Sequence, residues 1–212
     1  MKTASNQKKK KAPSYHHGNL RPVLIDQAAR LAAHEGLQHV SLRRVAQAAK
    51  VSHAAPYHHF KNKSDLMAAV ADEGFKRLDQ AMARAVARCP KDAEVGERLA
   101  AMGKAYVRFA QLNAHYFGIM FRPELSEAAE PAPDSWSTRA FERLVRTVQE
   151  ALGAASPDSE LVLTEVLHAW SLVHGLSSLW TDGALKEMPP FSDWGINRCA
   201  ELVIRRSAAG RS

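Results

Sequence analysis

The chain has 212 residues, 46% hydrophobic and 24% charged, a mix that builds one large folded domain or two small ones and excludes a disordered polymer. No stretch reaches the roughly 20 apolar residues of a membrane span, and its two cysteines, Cys89 and Cys199, are too few and too far apart for a disulfide scaffold or a zinc ribbon. A formal charge of +7 points to a polyanionic partner.

That charge is concentrated at the front. Residues 1–14 carry Lys2, Lys8, Lys9, Lys10 and Lys11 and no acid; they read as a disordered basic arm, without the apolar core of a signal peptide. Residues 15–75 hold seven Lys/Arg against five Asp/Glu, and residues 76–212 hold seventeen against seventeen. These boundaries divide the chain into an arm, a basic unit and a neutral unit.

Beyond the arm the sequence predicts an all-α protein, rich in alanine and leucine with apolar residues recurring every three or four. The first helix runs from about Asn19, a candidate N-cap, to Glu35, with Leu20, Leu24, Ala28, Leu31 and Ala32 on one stripe and Gly36 to end it. Ser41 caps a second helix to Ala49, facing inward with Leu42, Val45, Ala46 and Ala49. A tight turn follows, in which Lys50 occupies the place of the usual glycine and must adopt a left-handed backbone. A short third helix is expected at His53–His59, and a fourth from Ser64, as N-cap, to about Cys89.

Further helices are expected at Ala93–Asn113, His115–Phe121, Ser135–Ala154, Asp158–Asp182 and Ser192–Ser207, with a proline-rich loop at 122–135. Two short helices, a tight turn and a third helix small enough for the major groove make a helix-turn-helix, here an N-terminal three-helix DNA-binding unit backed by a C-terminal helical bundle.

Leu42-Arg43-Arg44-Val45-Ala46, Val51-Ser52 and Tyr57-His58-His59-Phe60-Lys61-Asn62-Lys63-Ser64-Asp65-Leu66 together resemble the tetracycline-repressor (TetR) family of bacterial transcription regulators, over residues 19–66. The resemblance implies that the third helix reads DNA through Ser52, His53, Ala54, Ala55 and His58. It further implies that Tyr57, His59 and Lys63, with Arg43 and Arg44, hold phosphates. The residue chemistry agrees: arginine and lysine supply counter-charge, tyrosine and histidine supply donors, and alanine methyls meet thymine methyls. Tyr57 and Phe60 are expected at least partly in the core, Phe60 outright, and Arg44 serves equally well as an ordinary solvated charge.

The segment Trp170-Ser-Leu-Val-His174-Gly175-Leu176, with Phe117-x-x-Met120-Phe121, resembles a C-terminal subgroup of that family named for a Trp-His-Gly signature. It implies a sensor for an unidentified small-molecule effector, with Tyr106, Phe109, His115, Phe117, Met120, Trp170, His174 and Trp180 as pocket candidates and His174 as the polar contact. Against this stands plain core filling. Dimers of the family pair through the last two helices, here by Leu163, Leu167 and Trp170 with Ile196, Cys199, Ala200 and Val203, unless these stripes are intramolecular core.

The pairs His16-His17, His58-His59 and His34-x4-His39 have neither an H-E-x-x-H helix nor a cysteine cluster behind them. No nucleophile elbow, Walker loop or Rossmann glycine pattern is present, so neither an enzyme, a metal nor a cofactor is expected. The expectation is a cytoplasmic, nucleoid-associated dimeric repressor on a palindromic operator, released by a ligand. An architectural or activating DNA-binding protein without a ligand is the alternative.

Overall fold

The computed structural model describes residues 20–122, 125 and 134–209, with the side chains of the last two left aside. Asn19, the basic arm, His16-His17 and most of the 122–135 loop therefore lie outside the described residues. All regular structure among the described residues is helical. The helices are α1 (Leu20–Glu35), α2 (Leu42–Ala48), α3 (Lys63–Ala87), α4 (Val95–Leu112), α5 (Ala114–Met120), α6 (Trp136–Leu152), α7 (Glu160–Thr181) and α8 (Phe191–Ala209).

α1 buries Leu24, Ile25, Ala28, Ala29 and Ala32, and Gly36 ends it at φ 92°. A 3-10 turn, Leu37–His39, leads to Ser41, whose hydroxyl accepts from the Arg44 N–H and caps α2 as expected. Lys50 takes φ 57°, and the Val51 N–H donates to the Ala46 carbonyl at 3.0 Å. Ala46 itself has no exposed surface. The absent side-chain bulk is what lets the chain turn back over α2.

Two starts differ from expectation. The third element is a 3-10 turn over Ala55–His58, not an α-helix over His53–His59. In an α-helix the residue after Ala55 would donate to the Ser52 carbonyl, but Pro56 has no N–H. Ala55 N–H takes that carbonyl at 3.0 Å, Tyr57 N–H bonds Ala54 at 3.1 Å, and the chain winds more tightly. The following helix is capped by Asn62, not Ser64: Asn62 Oδ1 accepts from Asp65 N–H at 2.8 Å, and Asp65 accepts from Lys61 N–H at 2.9 Å. Ser64 instead donates to the Leu125 carbonyl at 3.2 Å.

α3 then runs unbroken from the front unit into the bundle, across the boundary expected at 75/76. Gly74 on α3 is where α5 comes closest, since a side-chain carbon there would lie 2.6 Å from Met120 Cγ. Ser135 and Ser159 cap α6 and α7, and Gly153 closes α6 in the left-handed conformation. Asp79, 5% exposed, is bonded twice by Arg143 (2.6 and 3.1 Å), tying α3 to α6. α8 is interrupted at Gly195, φ 71°.

Candidate nucleic-acid interface and interior cavity

α2, the 3-10 turn and the start of α3 form one surface. Ser52, His53, Ala54, Tyr57, His58 and Lys61 are exposed on it, Ala55 and His59 half-buried, and Arg43 and Arg44 flank it. Tyr57 is 60% exposed, so its ring is no part of the core, whereas Phe60 is 2% exposed and is core as expected. Behind the turn, Pro56 is buried and the Arg21 guanidinium lies 5.3 Å from the centre of the Phe60 ring.

Two cations are committed within the protein. Arg44 pairs with Glu35 on α1. Lys63, expected just ahead of an N-cap and on phosphate, is the first residue of α3 and donates from Nζ to the Leu37 carbonyl at 2.7 Å. Its ammonium thereby fastens α3 to the turn after α1. Arg43 has no ion-pair partner among the described residues and keeps its guanidinium at the surface, and Lys61, missed in the sequence, adds a second exposed cation beside the turn. Its position between Phe60 and the Asn62 cap was the available signal.

The second site is a cavity of about 600 Å³, partly open to solvent, between α3, α4, α6 and α7 and the end of α8. Its walls are apolar, with Phe75 and Met82 on α3, Met102 on α4, Phe141 on α6 and Trp170 on α7, and Glu165 supplies a carboxylate. At one end the rings of Tyr106, Phe117, Phe121, Trp170 and His174 form a cluster, with Phe121 and His174 centred 4.5 Å apart. Tyr106 Oη and His174 Nδ1 are hydrogen-bonded at 2.8 Å. Burial pushes the Tyr106 hydroxyl above its usual range and lowers the pKa of His174, which favours the neutral imidazole.

Of the eight pocket candidates, Tyr106 and Trp170 line this cavity, and His174 stands behind Tyr106. Phe109 faces a different groove, on the outside of α3 and α4. Phe117 braces Tyr106 edge-on, Met120 fills the space at Gly74, and Trp180 lies half-buried near the end of α7. His115 lies over Tyr116, with ring centres 4.7 Å apart, and its buried Nε2 has no hydrogen-bond partner among the described residues. Burial, then the Arg30 charge, lowers its pKa.

Tyr116 belongs to the junction of the two units. Its hydroxyl, pushed up to about 12 mainly by burial, donates to Asp26 on α1 at 3.4 Å, and Arg77 of α3 lies 4.4 Å from its ring centre. The stripe expected to pair two copies divides differently. Ile196, Cys199 and Ala200 are 1–5% exposed and pack inside the chain, while Leu163 and Leu167 are 44% and 62% exposed. On α8 the intramolecular reading holds, because α4 covers that face.

A family model described as bacterial regulatory proteins of the tetR family matches residues 24–70, and one described as the tetracyclin repressor-like C-terminal domain matches residues 99–206. The chain belongs to the TetR family. Its family matches fall on the surface-bearing front unit and on the cavity-bearing bundle, with α3 joining them. A protein of unknown function from Rhodococcus sp. RHA1 is 31% identical, at a TM-score of 0.67, over 92% of this chain and 98% of that one. A TetR-family transcriptional regulator from Haemophilus influenzae RD has 21% identity and a TM-score of 0.62, over 90% of this chain and 95% of its own. Another from Marinobacter aquaeolei VT8 has 16% identity and a TM-score of 0.63, over 89% and 93%. These last two likenesses are of fold. No match was found among curated proteins.

This TetR-family architecture, with its helix-turn-helix unit, is that of a DNA-binding transcription regulator. Among the described residues no helix is long and apolar enough to cross a membrane, and no group of three or more His, Cys, Asp or Glu is placed to hold a metal.

Proposed function

We propose that this TetR-family regulator is a dimeric repressor that binds a palindromic operator and releases it when an apolar effector enters the cavity. The observation that carries this reading is the pairing of two features on one continuous helix. The N-terminus of α3 is tied by Lys63 into the front unit that carries the exposed reader, and Phe75, Leu78 and Met82 further along it wall the cavity. A ligand that prefers one position of α3 necessarily alters the affinity for DNA, and DNA alters the affinity for ligand by the same factor.

On the reader, Ser52, His53, Ala54, Ala55 and His58 face base edges, while Arg43, Tyr57 and His59 hold phosphates. Arg44 and Lys63 act first as internal ties, which supports orientation of the reader rather than direct counter-charge. The dimer face is supported by Leu161, Leu163 and Leu167, all exposed along α7, and Trp194 on α8 is exposed as well. In the cavity, the apolar walls select a largely hydrophobic effector, and Trp170 with Tyr106 contacts it.

The test is affinity for a duplex selected from genomic DNA. Arg43→Ala is expected to weaken binding severalfold to tenfold and to lower its salt dependence, as loss of one phosphate contact does. Tyr57→Phe is expected to lose a comparable but smaller factor. Unchanged affinity in both variants would remove the reader assignment. An effector-independent affinity that survives a broad panel of apolar compounds, with Trp170 fluorescence unmoved, would favour the ligand-free alternative.

A further inference from the structure

The balanced charge of residues 76–212 is not spread evenly once the chain folds. α3 sets Arg77, Arg84 and Arg88 along one face, at spacings close to whole turns. Lys104 and Arg108, one turn apart on the neighbouring α4, stand across from them, and the five side chains line an open groove of about 850 Å³ on the outside of the bundle. Its floor is made of Ala81 and Ala85 from α3 and Ala101 and Ala105 from α4. Phe109 and Leu112 of α4 and Asn197, Ala200 and Glu201 of α8 complete the lining.

Several arginines of the bundle have carboxylate partners: Arg143 has Asp79, Arg98 has Glu150 and Arg146 has Glu142. In the groove only Arg77 does, bonded to Glu73 at 2.8 Å. Arg84, Arg88, Lys104 and Arg108 are exposed and make no ion pair among the described residues, and Glu201 of α8, the one acid lining the groove, pairs with none of them. Arg84 with Arg88, and Lys104 with Arg108, are like-charge pairs at a four-residue spacing, an arrangement that costs stability until an anion fills it.

We propose that this groove binds a small polyanion, a metabolite carrying two or more phosphate groups, at a site separate from the apolar cavity. Guanidinium forks match phosphate oxygens in pairs, and four of the five cations are arginine. The walls belong to adjacent packed helices, whose axes stand about 8–10 Å apart. That trough admits an extended phosphate chain but not a nucleic-acid duplex. From Arg77 to Arg88 it runs about 16 Å along the helix, and the exposed Leu112 at one end offers an apolar face for the remainder of such a molecule.

Calorimetric titration of the full chain with inorganic triphosphate tests the site. The expected result is saturable binding, one triphosphate per chain, with the thermal midpoint raised and orthophosphate much weaker. The double variant Arg84→Ala with Lys104→Ala is expected to weaken binding at least tenfold while leaving the helical circular dichroism unchanged; Arg88→Gln serves as a milder second variant. Arg43→Ala, on the reader, is expected to leave triphosphate affinity unaltered. Absence of saturable binding up to millimolar triphosphate overturns the proposal. So does binding that survives the groove variants or is lost in Arg43→Ala. If the groove variants lose duplex DNA as steeply as triphosphate, the groove serves the DNA backbone instead.

Discussion

Around α1 and α2 the interior is floored by alanine, with Ala28, Ala29 and Ala46 fully buried, and backbones approach closely. Between α3, α4, α6 and α7, by contrast, leucine, methionine and aromatic side chains stand around about 600 Å³ of unfilled space. The front unit exchanges side-chain bulk for rigidity, so that its exposed donors keep fixed positions. The bundle leaves close packing incomplete, and the missing contacts are those a bound molecule would restore. One stretch of chain, α3, belongs to both.

The largest effect is expected where the front unit is tightest. Ala46→Asp places a carboxylate where no water reaches and forces α2 from the turn, at a cost of about 4 kcal/mol. Denaturant unfolding should show the loss as a lowered midpoint, and a change under 1 kcal/mol would mean that the close approach is not what holds this unit. Removing one side of the bundle's Arg143–Asp79 ion pair, whose carboxylate is buried, comes next. Arg143→Ala leaves Asp79 uncompensated and should destabilise by about 3 kcal/mol, while Arg143→Leu combined with Asp79→Leu should recover most of it. Equal losses in the single and double variants would deny the pair that role.

The smallest effect concerns the aromatic end of the cavity. Burial holds the His174 pKa below its ordinary 6.5. The unfolded chain therefore takes up a proton first as pH falls below about 6.5, so stability is complete above that value and declines beneath it. Unfolding measured at pH 7.5 and 5.5 should show this decline, and His174→Asn should make it shallower. His115, likewise lowered by burial, supplies part of what remains. A pH slope untouched by His174→Asn would place the titration elsewhere.

Much of this was legible in the chain. Helical periodicity gave α1, α2, α6 and α7 nearly to their ends, Ser41 caps α2 as read, and the awkward backbone of Lys50 followed from its place after α2. The winding of the reader was not, because it turns on one missing donor at Pro56 outweighing the local pattern. Asn62 and Ser64 are both competent caps; Asp65, which donates its N–H to Asn62 and accepts from the Lys61 N–H, decides for Asn62.

The pocket candidates shared one weakness. An aromatic at helical spacing reads the same whether it fills a core, as Phe117 does, or lines a cavity, as Trp170 does. The apolar stripe of α8 failed for the same reason, since periodicity marks a buried face without naming what covers it. Pairings such as Asp79 with Arg143 join residues far apart in sequence and carry no local signal at all.

The most direct measurement is selection of binding sites from fragmented genomic DNA by the purified protein, followed by footprinting and stoichiometry on the selected duplex. Two copies of the chain protecting a palindrome, with half-sites one helical turn or a multiple apart, is the outcome this account predicts. Enrichment of no common sequence, with adhesion that disappears evenly as salt is raised, would contradict it.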